Sequence, residues 1–408
     1  MIKRTHSCGD LRDSDAGASV RLCGWVNTYR EQGKGLVFLD LRDRAGLTQV
    51  VCDLEDSDSE LVEIARGLRR EDCIGVEGKV RMRDGGANDK LETGAIELVA
   101  ERIQVFSKSK TPPILPDDNE ANKISEDKRL EYRYIDLRRP SMQKILRTRS
   151  QVTRIVREHF GNEGFLEVET PFLIKSSPEG ARDFIVPSRQ YPGQWYALPQ
   201  SPQIFKQILM ISGCDRYLQI VRCFRDEDPR ADRQAEFTQV DLEMSFVEQA
   251  DVFAAVEPVI RGVFEEFSDK KIDKEFVQIP YADSMLKYGN DKPDLRIPFE
   301  ICDVTKIFRG SDFAIFAKNI EKGAVVRAVP GPKCGSRAVA DRMNSWAQKE
   351  GQPGLGYIFF RDGEGAGPIA NNIGAERTES VRTQLELGDG DAVFFVCGVP
   401  GDFAPFAA

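Results

Sequence analysis

The stretch from Arg222 to Glu243 reads RCFRDEDPRADRQAEFTQVDLE, and it decides how the rest of the chain is interpreted. Gln239, Asp241 and Glu243 alternate along its end, so an extended backbone would place them on one face. The residues on the other face are apolar, namely Val240, Leu242 and Met244. This alternation predicts a strand with a charged wall on one side and a core-facing side opposite.

Arginines and carboxylates crowd the segment before this strand, where Arg225, Glu227, Arg230 and Arg233 lie in a charged loop. Buried guanidinium and carboxylate groups must be paired or bind a charged ligand, because an isolated buried charge is costly. The charge pattern therefore favours the interpretation that this segment forms one wall of a ligand-binding site. The alternative is a solvent-exposed, salt-bridged hairpin, which would not require the apolar face opposite.

The composition narrows the class of protein without identifying it. A chain of 408 residues suggests two or three domains. No apolar run approaches the roughly 18 residues that a membrane span needs, and the N-terminus shows no secretory signal. Nine scattered cysteines without a CxxC pair argue against zinc and a disulfide framework, and fit reduced thiols in the cytoplasm. With only two histidines, a histidine-driven mechanism is not expected.

The net charge of −9 argues against a nonspecific polyanion binder but leaves nucleic acid open, because a local basic face can bind phosphates. Residues 1–106 read as short strands with a helix over Ser59–Arg69. The predicted strands are Val20–Val26, Leu36–Leu41, Leu47–Asp53, Cys73–Met82 and Ile96–Phe106. A helix after the third of five strands is the order of an OB barrel, a common platform for single-stranded nucleic acid. A small barrel without a ligand is the alternative.

The remaining chain divides by its pattern into three parts. Residues 107–140 read as a linker with a short helical segment. Residues 141–277 begin with a helix over Met142–Phe160, which Gly164 stops, and end with a helix over Asp251–Phe267. Residues 278–408 alternate apolar clusters with polar helical stretches, which predicts a smaller α+β domain.

Two ordered motifs carry a family resemblance. Arg225-Asp226-Glu227, a loop and Arg233-x-x-x-Phe237-x-x-x-Asp241 resemble motif 2 of class II aminoacyl-tRNA synthetases, and residues 164–173 resemble motif 1. Residues 176–184 and 201–207 resemble segments typical of aspartate activation, and residues 288–296 resemble the opening of the bacterial insertion domain. The chain thus resembles the bacterial-type aspartyl-tRNA synthetases, which implies an α+β multidomain protein. Its expected parts are an OB-fold barrel, an antiparallel-sheet catalytic domain and an insertion domain.

The resemblance implies the reaction and the residues that carry it. The reaction is ATP-dependent activation of L-aspartate to aspartyl-adenylate, with Mg²⁺, and transfer to tRNA(Asp). Arg225 would be the catalytic residue, contacting both the ATP α-phosphate and the aspartate carboxyl group, since a guanidinium can neutralise the growing charge. The ATP-binding residues would be Arg225, Asp226, Glu227 and Gln234. The aspartate-binding residues would be Glu179, Gln203, Lys206, Arg225 and Asp241. No metal site of the protein's own is implied.

For two of these residues an ordinary structural role is the alternative. Lys206 could be a surface lysine on a helix, and Glu179 could cap a turn. The helix over Met142–Phe160 would form a two-fold dimer interface in this family, although a core-facing helix has the same pattern.

The barrel would read the anticodon. In the family a phenylalanine and a glutamine, here Phe38 and Gln49, stack on and hydrogen-bond to an unstacked base. Arg30 and Glu97 would be neighbours, and Arg42 is a further candidate. Alternation places Phe38 opposite Val37 and Leu39, whereas a core aromatic is the alternative. Some relatives charge only tRNA(Asp) and others also charge tRNA(Asn); residues 29–35 match neither pattern cleanly.

The sequence departs from the family in one respect. The third motif, a glycine-rich strand and helix ending in an arginine, is not found, and the stretch Gly354–Arg361 lacks the acidic residue expected before that arginine. We therefore expect the 408-residue chain as written to be inactive in aspartate activation and prone to aggregate. Lysyl and asparaginyl synthetases are the nearest rivals. A non-catalytic tRNA-binding protein is the alternative of another class, which retention of the motif 2 residues disfavours.

Overall fold

The computed structural model describes residues 1–33, 35–53, 58–177, 179–230, 233–273 and 275–407. Lys34 of the barrel loop and Pro178 of the aspartate-type segment lie outside the described residues. The chain divides into two compact units, Met1–Ile272 and Asp273–Ala408. The finer division into four parts, with boundaries at residues 106, 140 and 277, stays a prediction.

The first part of unit 1 is a closed barrel with the strand order β1-β2-β3-β5-β4. Its elements are a 3-10 helix at Asp13–Asp15, β1 (Ser19–Gln32), β2 (Leu36–Arg42), β3 (Leu47–Asp53), α1 (Ser59–Arg66), β4 (Cys73–Met82) and β5 (Ile96–Ser107). The order and the position of α1 confirm the OB-fold prediction. Alternate residues of β2 fill the barrel core, because Val37, Leu39 and Leu41 are fully buried.

The linker predicted for residues 107–140 forms three short helices, α2 (Asp118–Ala121), α3 (Glu126–Glu131) and α4 (Arg133–Asp136). Buried ion pairs fix it. Asp136 is almost completely buried and lies 2.7 Å from Arg139, 2.8 Å from Arg133 and 3.3 Å from Arg129. Because a buried carboxylate needs compensating charge and hydrogen bonds, this cluster holds the segment in one arrangement.

The rest of unit 1 surrounds a short sheet with the strand order β10-β9-β6. Its elements are α5 (Pro140–Asn162), β6 (Leu166–Glu167), β7 (Ile185–Pro187), β8 (Trp195–Ala197), α6 (Gln203–Ile211), β9 (Arg216–Phe224), β10 (Glu236–Met244) and α7 (Gln249–Phe267). The long helix begins with Pro140 at its first turn, where a missing N–H costs nothing. After it, Gly164 adopts a left-handed φ of +78°.

Two expectations concern this sheet. The expected antiparallel sheet is present in β9 and β10, and the two-residue strand β6 adds a short parallel pairing at the edge of β9. The apolar face of β10 was expected to face the core. Leu242 and Met244 do pack against the cluster formed by α5, α7 and β9, whereas Val240 is 48% exposed.

Unit 2 is an α+β domain whose sheet has the strand order β11-β12-β15-β13-β14. Its elements are α8 (Tyr281–Tyr288), β11 (Cys302–Asp303), α9 (Thr305–Phe308), α10 (Ala314–Glu321), β12 (Val325–Gly331), α11 (Arg337–Lys349), β13 (Gly356–Arg361), β14 (Glu364–Ala366), α12 (Pro368–Ile373), α13 (Ala375–Gln384), β15 (Ala392–Gly398) and α14 (Pro400–Ala407). Apolar clusters pack on its strands. The stretch Gly354–Arg361, rejected above as the third motif, contributes β13 to this sheet. Among the described helices of the chain, none is long and apolar enough to cross a membrane.

Candidate active site and nucleic-acid interface

A lysine between two carboxylates forms the centre of the site. Lys206 lies on α6, is 9% exposed, and points its Nζ at β10. Its Nζ lies 3.0 Å from Asp241 Oδ1 and 3.2 Å from Glu243 Oε2. Burial alone would lower the pKa of Lys206, but the hydrogen bonds and charges of the two carboxylates outweigh burial and raise it. Lys206 is therefore a buried cation and not a surface lysine.

The second oxygen of Asp241 is unsatisfied. Asp241 Oδ2 is buried and has no hydrogen-bond partner among the described residues, although a buried carboxylate oxygen normally accepts bonds. Tyr217 and Cys223, both buried, lie near it. Burial, followed by the charge of Asp241, raises the pKa of the Tyr217 hydroxyl above its usual range and that of the Cys223 thiol to about 11. The floor of the site thus carries neutral side chains beneath charged ones.

Glu179 approaches the same floor from a loop. It is half-buried, and its carboxylate accepts hydrogen bonds from Ser177 Oγ at 3.1 Å and Ser201 Oγ at 2.7 Å. Gln203 begins α6 and lies three residues before Lys206, which is about one helical turn. The hydroxyl donors hold Glu179 in place, so a turn-capping role is not required to explain its position.

Arg225 is positioned by the backbone and by an aromatic ring. Its backbone N–H donates to Ala235 at 2.8 Å, which closes the motif 2 hairpin. Its guanidinium carbon lies 5.2 Å from the centroid of Phe237, within cation–π range. A neighbouring pair stabilises the start of the loop, since the Arg182 carbonyl accepts from Asp226 N at 3.0 Å.

The other predicted ATP-binding residues do not converge. Glu227 lies 3.9 Å from Arg233, in a weak and exposed ion pair. Asp226 and Gln234 are exposed, and Gln234 has no side-chain hydrogen bond within the described ranges. By contrast, the charges of Asp241, Arg225, Glu179 and Lys206 all act on the pKa of the Cys223 thiol, so these four residues lie in its neighbourhood.

Sequence reasoning missed Glu243 as a partner of Lys206 and the two serines that hold Glu179. Glu243 could have been found, because it occupies the same face of β10 as Asp241 and lies two residues further on. Ser177 lies only two residues before Glu179, whereas Ser201 is 22 residues away and reaches Glu179 through the packing of a separate loop, which spacing could not reveal. Within the described residues no group of three or more histidine, cysteine or acidic side chains could hold a metal ion.

The predicted anticodon residues come together on the barrel wall. Gln49 is 4% exposed; its Nε2 donates to Glu97 Oε2 at 2.7 Å, and its Oε1 accepts from Arg30 at 3.2 Å and from Arg83. Arg81 Nε donates to the other oxygen of Glu97 at 2.9 Å. An amide has two N–H donors, so the described contacts leave one N–H of Gln49 for a ligand.

Phe38 lies beside this network, on the outer face of β2. It is half-buried, while Val37 and Leu39 on either side are fully buried, so it is not a core aromatic. The Arg30 guanidinium lies 5.9 Å from its ring centroid. The expectation that Arg42 is a neighbour is wrong: its guanidinium forms a buried ion pair with Glu71 at 2.7 Å. The sequence spacing of Arg42 could not reveal this partner, which comes from the segment between α1 and β4.

Comparison with known proteins defines the class first. Residues 125–408 match the family described as tRNA synthetases class II (D, K and N), and residues 20–106 match the OB-fold nucleic acid binding domain. A solved asparaginyl-tRNA synthetase from Pyrococcus horikoshii, complexed with asparaginyl-adenylate, shares the fold with a TM-score of 0.58 and 19% identity. That alignment covers 100% of this chain and 95% of the other. The chain is thus built as a class II tRNA synthetase.

Closer relatives narrow the family. The chain is 56% identical to an aspartate–tRNA(Asp/Asn) ligase of Rhodopseudomonas palustris (strain BisB5), over 99% of this chain and 68% of the relative. It is 54% identical to the corresponding ligase of Nitrobacter hamburgensis, with the same coverage of both chains. The chain therefore belongs to the aspartate–tRNA ligase family.

Proposed function

We propose that this chain binds L-aspartate and ATP for the formation of aspartyl-adenylate, and that the activated aspartate is transferred to tRNA(Asp). The observation that carries the proposal is Lys206, a buried cation between Asp241 and Glu243 beside a carboxylate and a guanidinium. The charges of an amino acid with a second carboxylate match this arrangement, because its α-ammonium group can face the acidic wall while its carboxylates face Lys206 and Arg225. The buried Asp241 Oδ2, which lacks a hydrogen-bond partner among the described residues, is an acceptor that a substrate ammonium group would satisfy.

Each proposed contact follows from charge and position. The ammonium group of Lys206 is the donor for the side-chain carboxylate of aspartate. Asp241 Oδ2 and the carboxylate of Glu179 are the acceptors for the α-ammonium group. Gln203, one turn before Lys206, lines the same wall. Arg225 holds the α-carboxyl group against the α-phosphate of ATP, where a fixed guanidinium stabilises the charge that develops in the displacement.

ATP is the energy source that an adenylate requires, and the exposed motif 2 loop with Asp226, Glu227 and Gln234 is the segment proposed to hold it. Mg²⁺ commonly binds through substrate phosphates and one or two carboxylates rather than a protein cage. The described residues offer no such cage, so we propose that Mg²⁺ arrives with ATP. The proposed rate acceleration comes from holding the two substrates in position and from stabilising the charge that develops between them. Neither effect requires a histidine, and none of the site residues named here is one.

Binding of a non-hydrolysable aspartyl-adenylate analogue to the purified chain, followed by calorimetry, tests this proposal. We expect submicromolar binding that L-aspartate and ATP together reverse. The asparaginyl analogue is the matched control and should bind at least about 50-fold more weakly, because its amide cannot pair with Lys206. Absence of binding by a folded chain, or equal binding of both analogues, would contradict the proposal.

For the barrel we propose recognition of the anticodon loop, with a base stacked on Phe38 and hydrogen-bonded to Gln49. The half-buried Phe38 on the outer face of β2, and the Gln49 N–H that the described contacts leave over, support it. Because the relatives are named for both tRNAs, we include tRNA(Asn) beside tRNA(Asp) as a partner. Titration of the two anticodon stem–loops tests this inclusion: comparable affinity supports it, and at least tenfold discrimination against the asparagine loop contradicts it.

We further propose a homodimer through α5. An apolar groove of about 530 Å³ runs between α5 and β10, and Ile145 and Val240 on its walls are 57% and 48% exposed. A second copy of α5 would bury them. Sedimentation should show a dimer, and Ile145→Lys should produce monomers; a monomeric wild-type chain at micromolar concentration would contradict this.

The cytoplasm is the proposed location, since all nine cysteines are unpaired.

A further inference from the structure

Glu243 is the one carboxylate at Lys206 without a proposed role. Its side chain is 35% exposed, whereas that of Asp241 is 11% exposed, and both contact the same ammonium group. Two carboxylates on one lysine leave the three side chains with a net charge of −1. This net negative charge on Lys206, Asp241 and Glu243 repels an incoming carboxylate, even though Lys206 itself would attract one.

We propose that Glu243 is an exchangeable placeholder for the side-chain carboxylate of the substrate. This inference rests on the proposed function and deepens it. In the empty site Glu243 satisfies Lys206, and an incoming aspartate takes its place while Asp241 stays bound. Glu243 is then a positioning residue for Lys206 in the empty site, and only a ligand with a carboxylate can replace it there.

The geometry decides which partner leaves. Asp241 is held by burial and by the shorter contact of 3.0 Å, and removing it would leave a buried charge unpaired. Glu243 is partly in water, so its carboxylate can be rehydrated when it moves, and exposed ion pairs contribute little stability. The glutamate side chain has one more rotatable bond than aspartate. It can swing toward solvent without displacing the β10 backbone.

The exchange affects aspartate and asparagine differently. The amide of asparagine offers Lys206 a neutral oxygen, which cannot compete with the charged Glu243 for the ammonium group. The side chain of aspartate carries a full negative charge. Replacing the Glu243 carboxylate at Lys206 by the aspartate carboxylate therefore changes the electrostatic energy little. Glu243 therefore lowers the affinity of aspartate, the ligand that displaces it, whereas asparagine leaves the Lys206–Glu243 pair in place.

Calorimetric titration of L-aspartate into the wild-type chain and into Glu243→Gln tests the proposal. Removing the competing charge should tighten aspartate binding about fivefold, the equivalent of one partly exposed ion pair. L-Asparagine affinity should change by less than about twofold, since a glutamine at position 243 still hydrogen-bonds Lys206 and an amide gains no ion pair. A structural role for Glu243 would weaken both ligands together.

Glu236→Gln is the matched control. Glu236 lies on the same strand, is exposed, and pairs with Arg222 at 3.3 Å, so its replacement changes the net charge equally without touching Lys206. Thermal unfolding of each variant verifies that it is folded, and the Lys206–Asp241 pair remains in both. If Glu236→Gln tightens aspartate binding as much as Glu243→Gln does, the effect is long-range and the exchange is overturned.

The remaining outcomes are also decisive. If the wild-type chain binds aspartate and Glu243→Gln binds it equally or more weakly, the exchange is overturned while the proposed function stands. If neither the wild-type chain nor any folded variant binds aspartate, the proposed function fails and the inference fails with it. A selective gain for aspartate in Glu243→Gln alone supports the exchange.

Discussion

The proposed base-reading face of the barrel and the proposed amino-acid pocket of the sheet satisfy their polar groups in opposite ways. In the barrel, Gln49 is held by Glu97, Arg30 and Arg83, so its orientation is set by the protein. In the pocket, Lys206 has more negative charge around it than it can neutralise, and Asp241 Oδ2 has no partner within the described residues.

This difference shows how each region treats its ligand. A hydrogen-bonded amide on a closed barrel is already in position, so binding a base costs little reorganisation. In the charged pocket, by contrast, the proposed α-ammonium group would give the buried Asp241 Oδ2 a donor, and the substrate carboxylate would exchange with a carboxylate at Lys206. We therefore expect the barrel to be preorganised and the pocket to be completed by its substrate.

The largest effect should come from the pocket. Lys206→Ala should reduce the affinity for L-aspartate by at least about 100-fold, because losing the cation leaves two carboxylates unpaired against an anionic ligand. Calorimetry measures the loss, and Lys175→Ala, an exposed lysine of the same unit, is the control that should bind normally. A folded Lys206→Ala chain that binds aspartate within fivefold of wild type would remove Lys206 from the site.

The barrel should respond next, and independently. Phe38→Ala should weaken binding of the anticodon stem–loop about 10- to 100-fold, since a base–aromatic stack contributes roughly 1–3 kcal/mol. Phe38→Trp retains an aromatic face and should stay within a few-fold of wild type. Fluorescence anisotropy with a labelled stem–loop measures both variants. Equal binding by Phe38→Ala and Phe38→Trp would show that Phe38 does not stack on a base.

A smaller effect on stem–loop binding is expected from Glu97, the residue that holds the Gln49 side chain in position. Glu97→Gln removes a charge-assisted bond to Gln49 and the ion pair with Arg81, and should weaken stem–loop binding about tenfold. Glu101→Gln, an exposed carboxylate of the same strand, is the control for net charge. If the two variants bind the stem–loop equally well, the orientation of Gln49 does not depend on Glu97.

Much of this arrangement follows from local sequence rules. The barrel order, the position of α1 and the outward face of Phe38 were predictable, because strand periodicity and turn residues are local properties. The strands of unit 2 were also visible as apolar clusters at residues 325–329, 356–360 and 392–397.

What could not be predicted depends on partners brought from elsewhere in the chain. The pairing of Arg42 with Glu71 joins residues 29 positions apart, and the serine donors of Glu179 lie on different loops. The exposure of Val240 has a similar cause: periodicity places it on the apolar face of β10, but only the packing of α5 decides whether that face is covered. The hydrophobic periodicity of a strand predicts the face on which a side chain lies, but it does not predict which residues that side chain contacts.

The smallest expected effect is an absence of pH dependence. The pKa of Lys206 is raised above its ordinary value, so its charge is present below that raised pKa and is lost only as the pH rises through it. Aspartate affinity should therefore be flat between pH 7 and 9.5 in calorimetry with matched buffers. A fall of more than about threefold within that range would mean that Lys206 loses its proton earlier, and that its two carboxylates do not hold the charge.

The most direct test of the central claim is the ratio of dissociation constants for L-asparagine and L-aspartate on the wild-type chain at pH 7.5. The account places a buried ammonium group opposite the substrate side chain, so aspartate should bind at least about 50-fold more tightly than its amide. A ratio near one, or tighter binding of asparagine, would contradict the assignment of Lys206 to the substrate carboxylate.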